Sequence, residues 1–440
     1  MPSKPHCQRS GSPEHAAPEP SRVLGVYPQK QSGRFMQRIK IFGGRINWRQ
    51  WRRVAELAAT HSDGFPLHLT TRQDIELHNL QRVDIATVQQ GLAEVGLTTF
   101  GACGDSVRNM TVCPGCEFSP EGLDLMPIAQ FVRHCLEQRQ LIFTLPRKFK
   151  ISFSGCTKAC AKPWLNDLGF IGQADGRFRV IGAGSLGAKP ALGIELNRSM
   201  PAEDIAPLCL AAVELFHEEG DRENRRRARL RHIRERLGDD EFKARLNDRF
   251  DQVRTRESWP LIGPVRSRSG ATLQHHLQLP EGNITPAEAI QLADVAEPRG
   301  SILRLTLEHG LHLYGPESIA LPKEFAAMTK APVIVACPGC ATCPQGLADC
   351  WATTQEIRAA LSTVDCANAR INISGCPNNC AHSAAAQIGL IGLLRKDAGR
   401  TVPHYRALTG GGNGTNDTLA EPRTIVPADN IAETVKELLS

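Results

Sequence analysis

Apolar and polar positions recur along this chain in two periods, and the order of those periods runs through twice. In WRQWRRVAELAATH, beginning at Trp48, apolar residues return every three or four positions, which predicts a helix with one buried face. PAEAIQLADVAE, beginning at Pro286, predicts a second. LHLTTRQDIEL from Leu67 and LRLTLEHGLHL from Leu303 alternate apolar with polar residues and predict strands with one face on a core. After each alternating strand come a cysteine-bearing loop, a further helix, and an apolar strand leading into the triplet SGC. The layout is mixed α and β.

The correspondence extends to individual residues. VCPGCEFSPEG from Val112 aligns with ACPGCATCPQG from Ala336, ISFSGCTKACAKPWLNDLGFIG from Ile151 with INISGCPNNCAHSAAAQIGLIG from Ile371, and GGRIN from Gly43 with EGNIT from Glu281. Because the order is kept, duplication is the economical explanation, and it predicts two halves packed about a pseudo-twofold axis with a cleft between them. The halves differ in their chemistry: Cys343 aligns with Ser119, Arg72 with Glu308, Lys148 with Asn368 and Lys150 with Arg370.

The second half groups Cys337 and Cys343, spaced C-x5-C, with Cys376 and Cys380, spaced C-x3-C. Soft thiolates aimed at one point by neighbouring Pro and Gly turns suit an iron–sulfur cluster. Structural zinc is the alternative, since Cys337 and Cys340 also form a C-x2-C knuckle. Disulfides are disfavoured, because no charged segment followed by an apolar one opens the chain, and a cytoplasmic location is expected. The first half carries Cys103, Cys113, Cys116, Cys156 and Cys160. These read either as buried thiols packing like small hydrophobes or, for Cys113, Cys116, Cys156 and Cys160, as a second cluster.

The chain has 440 residues, a formal net charge of +6 and a pI near 8.6, which favours small anions or an acidic protein partner. The excess is too diffuse to imply nucleic acid, and aromatics at 5% supply no stacking platform for single strands. No apolar run approaches the ~18 residues of a membrane span. MPSKPHCQRSGSPEHAAPEP at the start is rich in Pro, Ser and charge and is expected to be a disordered tail. From about Asp221 to Arg249, dense Arg with interspersed Glu predicts a helix broken at Gly238. It is expected to join the two halves, its basic run being either a solvated face with internal ion pairs or a docking surface for an acidic electron donor.

Arg72 in TTRQ, Arg108 in GDSVRN, and Lys148 with Lys150 in PRKFK lie in or beside strand-terminal loops of the first half. If PRKFKISFS is extended, Lys148 and Lys150 share a face. Two ammonium groups held together are costly unless an anion sits between them, and arginine adds bidentate recognition of oxyanions. Each alone reads as a surface charge.

Taken together, LTTRQ, GDSVRN with the following CP, LPRKFKISFSG, NDLGF, DRENRRRARL, ACPGCATC and SGCPNNC resemble the sirohaem- and 4Fe-4S-dependent nitrite and sulfite reductases, from about Val23 to the C-terminus. The resemblance implies an α+β fold, internally duplicated, with a pseudo-twofold arrangement of ferredoxin-like half-domains and two α/β domains of the sirohaem and 4Fe-4S type. It implies residues 1–22 as tail, 23–100 as the first ferredoxin-like half-domain and 101–220 as the first sirohaem and substrate domain. A helical linker over 221–260, a second half-domain over 261–330 and the 4Fe-4S/sirohaem domain over 331–440 complete it. Cys337, Cys343, Cys376 and Cys380 would hold the cluster, with Cys380 bridging to sirohaem. Arg72, Arg108, Lys148 and Lys150 would surround the substrate anion, and Asn109, Arg147 and Asn378 would touch the macrocycle.

The implied activity is the six-electron reduction of sulfite to sulfide or of nitrite to ammonia, with ferredoxin or a flavoprotein subunit as donor. Within the family a second Lys in the KFK triplet is typical of sulfite reductases, so Lys150 makes sulfite the first expectation. Two alternatives stay open: a cobalamin-pathway oxygenase similar to precorrin-3B synthase, and a non-catalytic iron–sulfur electron-transfer protein. The intact TTRQ, VRN and RKFK set argues for reduction of a small anion.

Overall fold

The computed structural model describes residues 21–266, 270–316, 318–362, 369–397 and 399–439. The expected tail lies outside them except for its last two residues, and so does Asn368, the counterpart of Lys148.

Both predicted amphipathic helices form, Trp48–His61 and Pro286–Ala296, each opened by a capping box: Asn47 with Gln50 in one, Thr285 with Glu288 in the other. They pack on each other across the centre of the molecule. The Trp51 indole donates to Ala289 O at 2.8 Å, and one apolar core takes in Trp51, Val54 and Leu57 together with Leu292, Ala293 and Leu303.

Around this core lie two antiparallel sheets that exchange strands. Arg45–Ile46, from the first repeat, pairs with Ile302–Leu305 of the second. Asn283–Ile284, from the second, pairs with Leu67–Leu69 of the first. The exchanged strands are those of the aligned GGRIN and EGNIT segments, so neither half-sheet is complete without the other repeat. The shared core makes the two repeats one body.

Outside the centre, each repeat builds a five-stranded mixed sheet of the same design. In the first, Thr111–Val112, Ile151–Ser154 and Leu168–Gly172 run parallel, followed by antiparallel Phe178–Gly182 and Ile194–Met200. In the second, Val333–Ala336, Arg370–Ser374 and Ile388–Asp397 run parallel, followed by antiparallel Arg400–Thr409 and Glu421–Pro427. The cysteine loops leave the ends of the parallel strands, where α/β sheets place their ligands.

The basic segment departs from expectation at its start. Residues 221–229 are not helical, because the Asp221 carboxylate accepts from the backbone of Glu223 and Asn224 and turns the chain. Helices Leu230–Leu237 and Asp239–Arg256 then flank Gly238, whose positive φ suits glycine. Rather than spanning the halves, they fold back onto the Ile205–Glu219 helix, burying Leu230, Ile233, Phe242, Leu246 and Val253 in the first-half core. Their arginines pair with that helix: Arg249 with Glu218 at 2.5 Å, Arg256 with Glu214 at 2.7 Å and Arg236 with Glu219 at 3.0 Å.

Candidate active site

The two SGC loops have one backbone plan. In the first, Ala159 and Lys162 take positive φ, and the Ser154 hydroxyl accepts from Ala161 N at 3.1 Å. In the second, Asn379 and His382 do the same, and Ser374 accepts from Ala381 N at 3.1 Å. This winding turns Cys376 and Cys380 back over the strand end. Gly375 lets the other cysteine loop approach, since a Cβ there would lie 2.6 Å from Gly339 Cα. Its amide donates to Cys337 Sγ at 3.3 Å, and the Asn378 side chain hydrogen-bonds the Cys376 thiol.

Cys337, Cys343 and Cys376 all lie within electrostatic reach of Cys380, yet among the described residues no hydrogen bond joins any two of the four thiols. Cys337 instead meets Cys350, which opens the Cys350–Leu361 helix. Of the four, Cys380 alone is exposed.

Facing Cys380 is the PRKFK segment. Lys148 and Lys150 are half-buried and share a side, with Phe149 fully buried between them. Among the described residues neither ammonium has a hydrogen-bond or ion-pair partner, and both lie within the field of Cys380. Burial lowers Lys148 to about 7, helped by the nearby charges of Arg229, Arg108 and Arg147. Burial also pushes Lys150 well below its ordinary value, with Arg72 and Lys148 adding to it.

The structure draws Arg72, Arg108, Lys148 and Lys150 into one charged neighbourhood but uses the arginines differently from the lysines. Arg72 donates to Asn109 O at 2.8 Å, Ile151 O at 2.9 Å and Asn166 Oδ1 at 2.8 Å, tying three segments together. Its neighbour Thr71 donates to Cys380 O at 3.0 Å, across the pseudo-twofold interface. Arg108 is spent on Gly104 O and Ala102 O of its own loop and on the Tyr27 side chain. Asn109 is fully buried, its amide donating to Ile41 O, Arg72 O and Asp74 Oδ1, so in this placement it holds the Arg72 turn rather than facing the cleft. Arg147 is half-buried beside Asp105, and Asn378 is exposed.

Three residues absent from the sequence expectations, Asp167, Arg229 and Gln73, organise the site. Asp167, fully buried, accepts from Lys150 N at 2.8 Å and from Arg229 Nη2 at 2.6 Å, fixing the strand that presents the lysines. Arg229 stands among six arginines between Arg222 and Arg231, and nothing in that run marks it as the one that turns inward. Gln73 donates to both Val112 O and Leu305 O at 2.9 Å, clamping the two halves. The signals in the sequence are that Asp167 lies in NDLGF and Gln73 in TTRQ, segments that carry the family resemblance.

The equivalent position in the second repeat is electrically closed. Glu308, the counterpart of Arg72, pairs with Arg370 at 2.5 Å and with Lys162 at 3.4 Å. Glu308 therefore neutralises Arg370 of its own repeat and Lys162 of the first, whereas the position of Arg72 leaves Lys148 and Lys150 open beside an exposed thiol. Four convergent but unbonded thiols suit a cubane, and unpaired ammonium groups suit the carboxylates of a tetrapyrrole and a small anion, so the residues present fit both groups.

The description "Nitrite and sulphite reductase 4Fe-4S domain" matches residues 103–253 and 328–440, and "Nitrite/Sulfite reductase ferredoxin-like half domain" matches 27–95. The chain is 28% identical to an assimilatory ferredoxin-dependent nitrite reductase of Haloferax mediterranei, over 95% of this chain and 81% of that one. It is also 28% identical to a ferredoxin–nitrite reductase of Synechococcus elongatus, over 94% and 88%. The solved structure of the Mycobacterium tuberculosis NirA protein superposes with a TM-score of 0.77 at 20% identity, covering 94% of this chain and 85% of that one, a likeness of fold.

Proposed function

The chain belongs to the nitrite and sulphite reductase family, and on that premise we propose that it reduces nitrite to ammonia with ferredoxin as the electron donor. It is an oxidoreductase whose cofactors are sirohaem and a 4Fe-4S cluster. The observation carrying the proposal is the pair of ammonium groups, Lys148 and Lys150, that face exposed Cys380 with no partner among the described residues. The nitrite reductases among its relatives support the choice of anion and donor.

Sirohaem and the cluster, when bound, would supply the electrons for reducing the anion. The work left to this chain is to bind and protonate. Lys148 and Lys150 attract the anion and hold it against the cleft wall, their charge paired with no carboxylate among the described residues. Lys148, with its proton held loosely near neutrality, is suited to hand that proton to an oxygen about to leave, which an arginine is not. Arg72, Asp167 and Arg229 are positioning residues in this reading: they fix the strand and the turn on which the lysines and Cys380 ride. Cys337, Cys343, Cys376 and Cys380 would hold the cluster, Cys380 facing the macrocycle because it alone of the four is exposed.

Sulfite is the second reading, favoured by Lys150, whose extra charge suits a dianion. The deciding measurement is the visible spectrum of protein made without oxygen, followed by turnover of nitrite and sulfite with reduced ferredoxin. Sirohaem bands with faster nitrite turnover are expected. Faster sulfite turnover would reverse the assignment of substrate, and lack of sirohaem bands after expression with an intact sirohaem pathway would overturn the reaction.

A further inference from the structure

The first repeat keeps its own set of thiols at the position equivalent to the cluster site, and they stand differently. Cys116 Sγ lies 2.9 Å from Cys113 Sγ and 3.6 Å from Cys156 Sγ. Cys160 is within hydrogen-bond reach of both Cys113 and Cys156, so the four close a ring in which each thiol meets two others. Cys113 and Cys116 are buried, Cys156 and Cys160 partly so, and none is in a disulfide.

Sulfur separation distinguishes the metals such a ring can take. Four thiolates around one tetrahedral ion, at about 2.3 Å each, stand about 3.8 Å apart. Thiolates on a cubane are held apart by an additional iron–iron edge, at roughly 6 Å. The first ring is at or inside the single-ion spacing, whereas Cys337, Cys343, Cys376 and Cys380 form no such contacts. The sequence difference gives the cause: Ser119 replaces the counterpart of Cys343, and Cys116 takes part instead, which shortens C-x5-C to the C-x2-C of a metal knuckle. Gly155 admits the sulfur, since a Cβ there would lie 2.6 Å from Cys116 Cβ.

We propose that Cys113, Cys116, Cys156 and Cys160 bind one tetrahedral zinc or iron ion, a structural site separate from the catalytic cluster. Among the described residues no group of three or more metal-ligating side chains already stands at bound-ion geometry. Loading this ring requires only that it widen, by about 1 Å at its tightest edge, to the tetrahedral spacing. The ion would join the ends of the Thr111–Val112 and Ile151–Ser154 strands. It would also anchor the loop whose Glu117 binds Arg45 and Arg304, and whose Phe118 stacks on Tyr314 at 3.9 Å, at the contact with the second repeat. The thiols release their protons on loading and no electron moves.

The test is elemental analysis of holoprotein purified without oxygen, with the wild type compared against Cys116→Ser and Cys160→Ser. One equivalent of zinc, or a sixth iron beyond sirohaem and one cubane, is expected in the wild type. Either variant should lose that ion and keep its sirohaem band. Should the variants fail to fold, titrating wild-type protein with a mercurial in the presence of a metallochromic chelator still reads the ion released by thiol blocking. Four further irons with matching sulfide would mean a second cubane and overturn the single-ion assignment. No extra metal, with four free thiols or a mass lower by about four hydrogens from two disulfides, would overturn the site.

Discussion

Arg229→Met is the sharpest test of how the lysines are positioned. Asp167 is fully buried, and its Oδ2 has two donors, the Arg229 guanidinium at 2.6 Å and Lys150 N at 2.8 Å, while its Oδ1 has none. Methionine keeps much of the arginine stem's packing but leaves a buried carboxylate with a single neutral donor. Breaking one side of a buried pair costs about 3–5 kcal/mol. Relief of the repulsion that Arg229 exerts on Lys148 and Lys150 works the other way, through the open cleft, so the lower end, about 3 kcal/mol, is expected. With unfolding entropy near 2.1 cal/mol/K per residue, 440 residues unfolding together carry about 0.9 kcal/mol/K, so Tm should fall by about 3–5 °C. Urea or thermal unfolding of the holoprotein reads it. The double variant Arg229→Met with Asp167→Asn should recover most of the loss, because the amide oxygen still accepts from Lys150 N without a buried charge. A cost below about 1 kcal/mol in the single variant, or no recovery in the double, would refute the buried-pair account.

Other consequences concern chemistry and pH. Because Lys148 titrates near 7, its charge is present below that pH and lost above it, so KM for nitrite should rise from pH 6 to 9. Lys148→Arg should flatten that rise yet still lower kcat, by about 10²–10⁴ if the proton matters; an unchanged kcat would remove Lys148 as donor. Lys150→Asn should reduce sulfite turnover more than nitrite turnover, and equal losses would end the argument from its charge. Cys380→Ser should abolish the magnetic coupling between haem and cluster in electron paramagnetic resonance, while Cys340→Ser should retain it. Burial raises Glu308, but the charges of Lys162 and Arg370 outweigh it and hold the group at about 2. Its stabilising effect is therefore complete above about 4.5, the usual carboxylate value, and lost as pH falls toward 2. Acid unfolding of Glu308→Gln and wild type should converge across that window.

Much of this protein is legible along the chain. The duplication, the two amphipathic helices and the alternating strands follow from local periodicity, because burying one face of a helix or strand demands that pattern of its own residues. The spacing of Cys337, Cys343, Cys376 and Cys380 likewise announces a soft-metal site, since the turns that aim thiolates are encoded next to them. Tertiary structure decided what depends on residues distant in sequence. Exchange of Arg45–Ile46 for Asn283–Ile284 makes one body of two repeats, and no local pattern specifies which sheet a two-residue strand joins. Arg229 became the partner of Asp167, 62 residues away, by turning inward from a run of arginines that looks uniformly solvated. Arg72 and Arg108 looked like anion ligands, yet their guanidinium groups are held by backbone carbonyls, leaving Lys148 and Lys150 as the open charges. Side-chain types and spacings are written locally, but whether a charge is neutralised is settled by what folding brings against it, because Coulomb energy depends on distance and burial rather than on sequence separation.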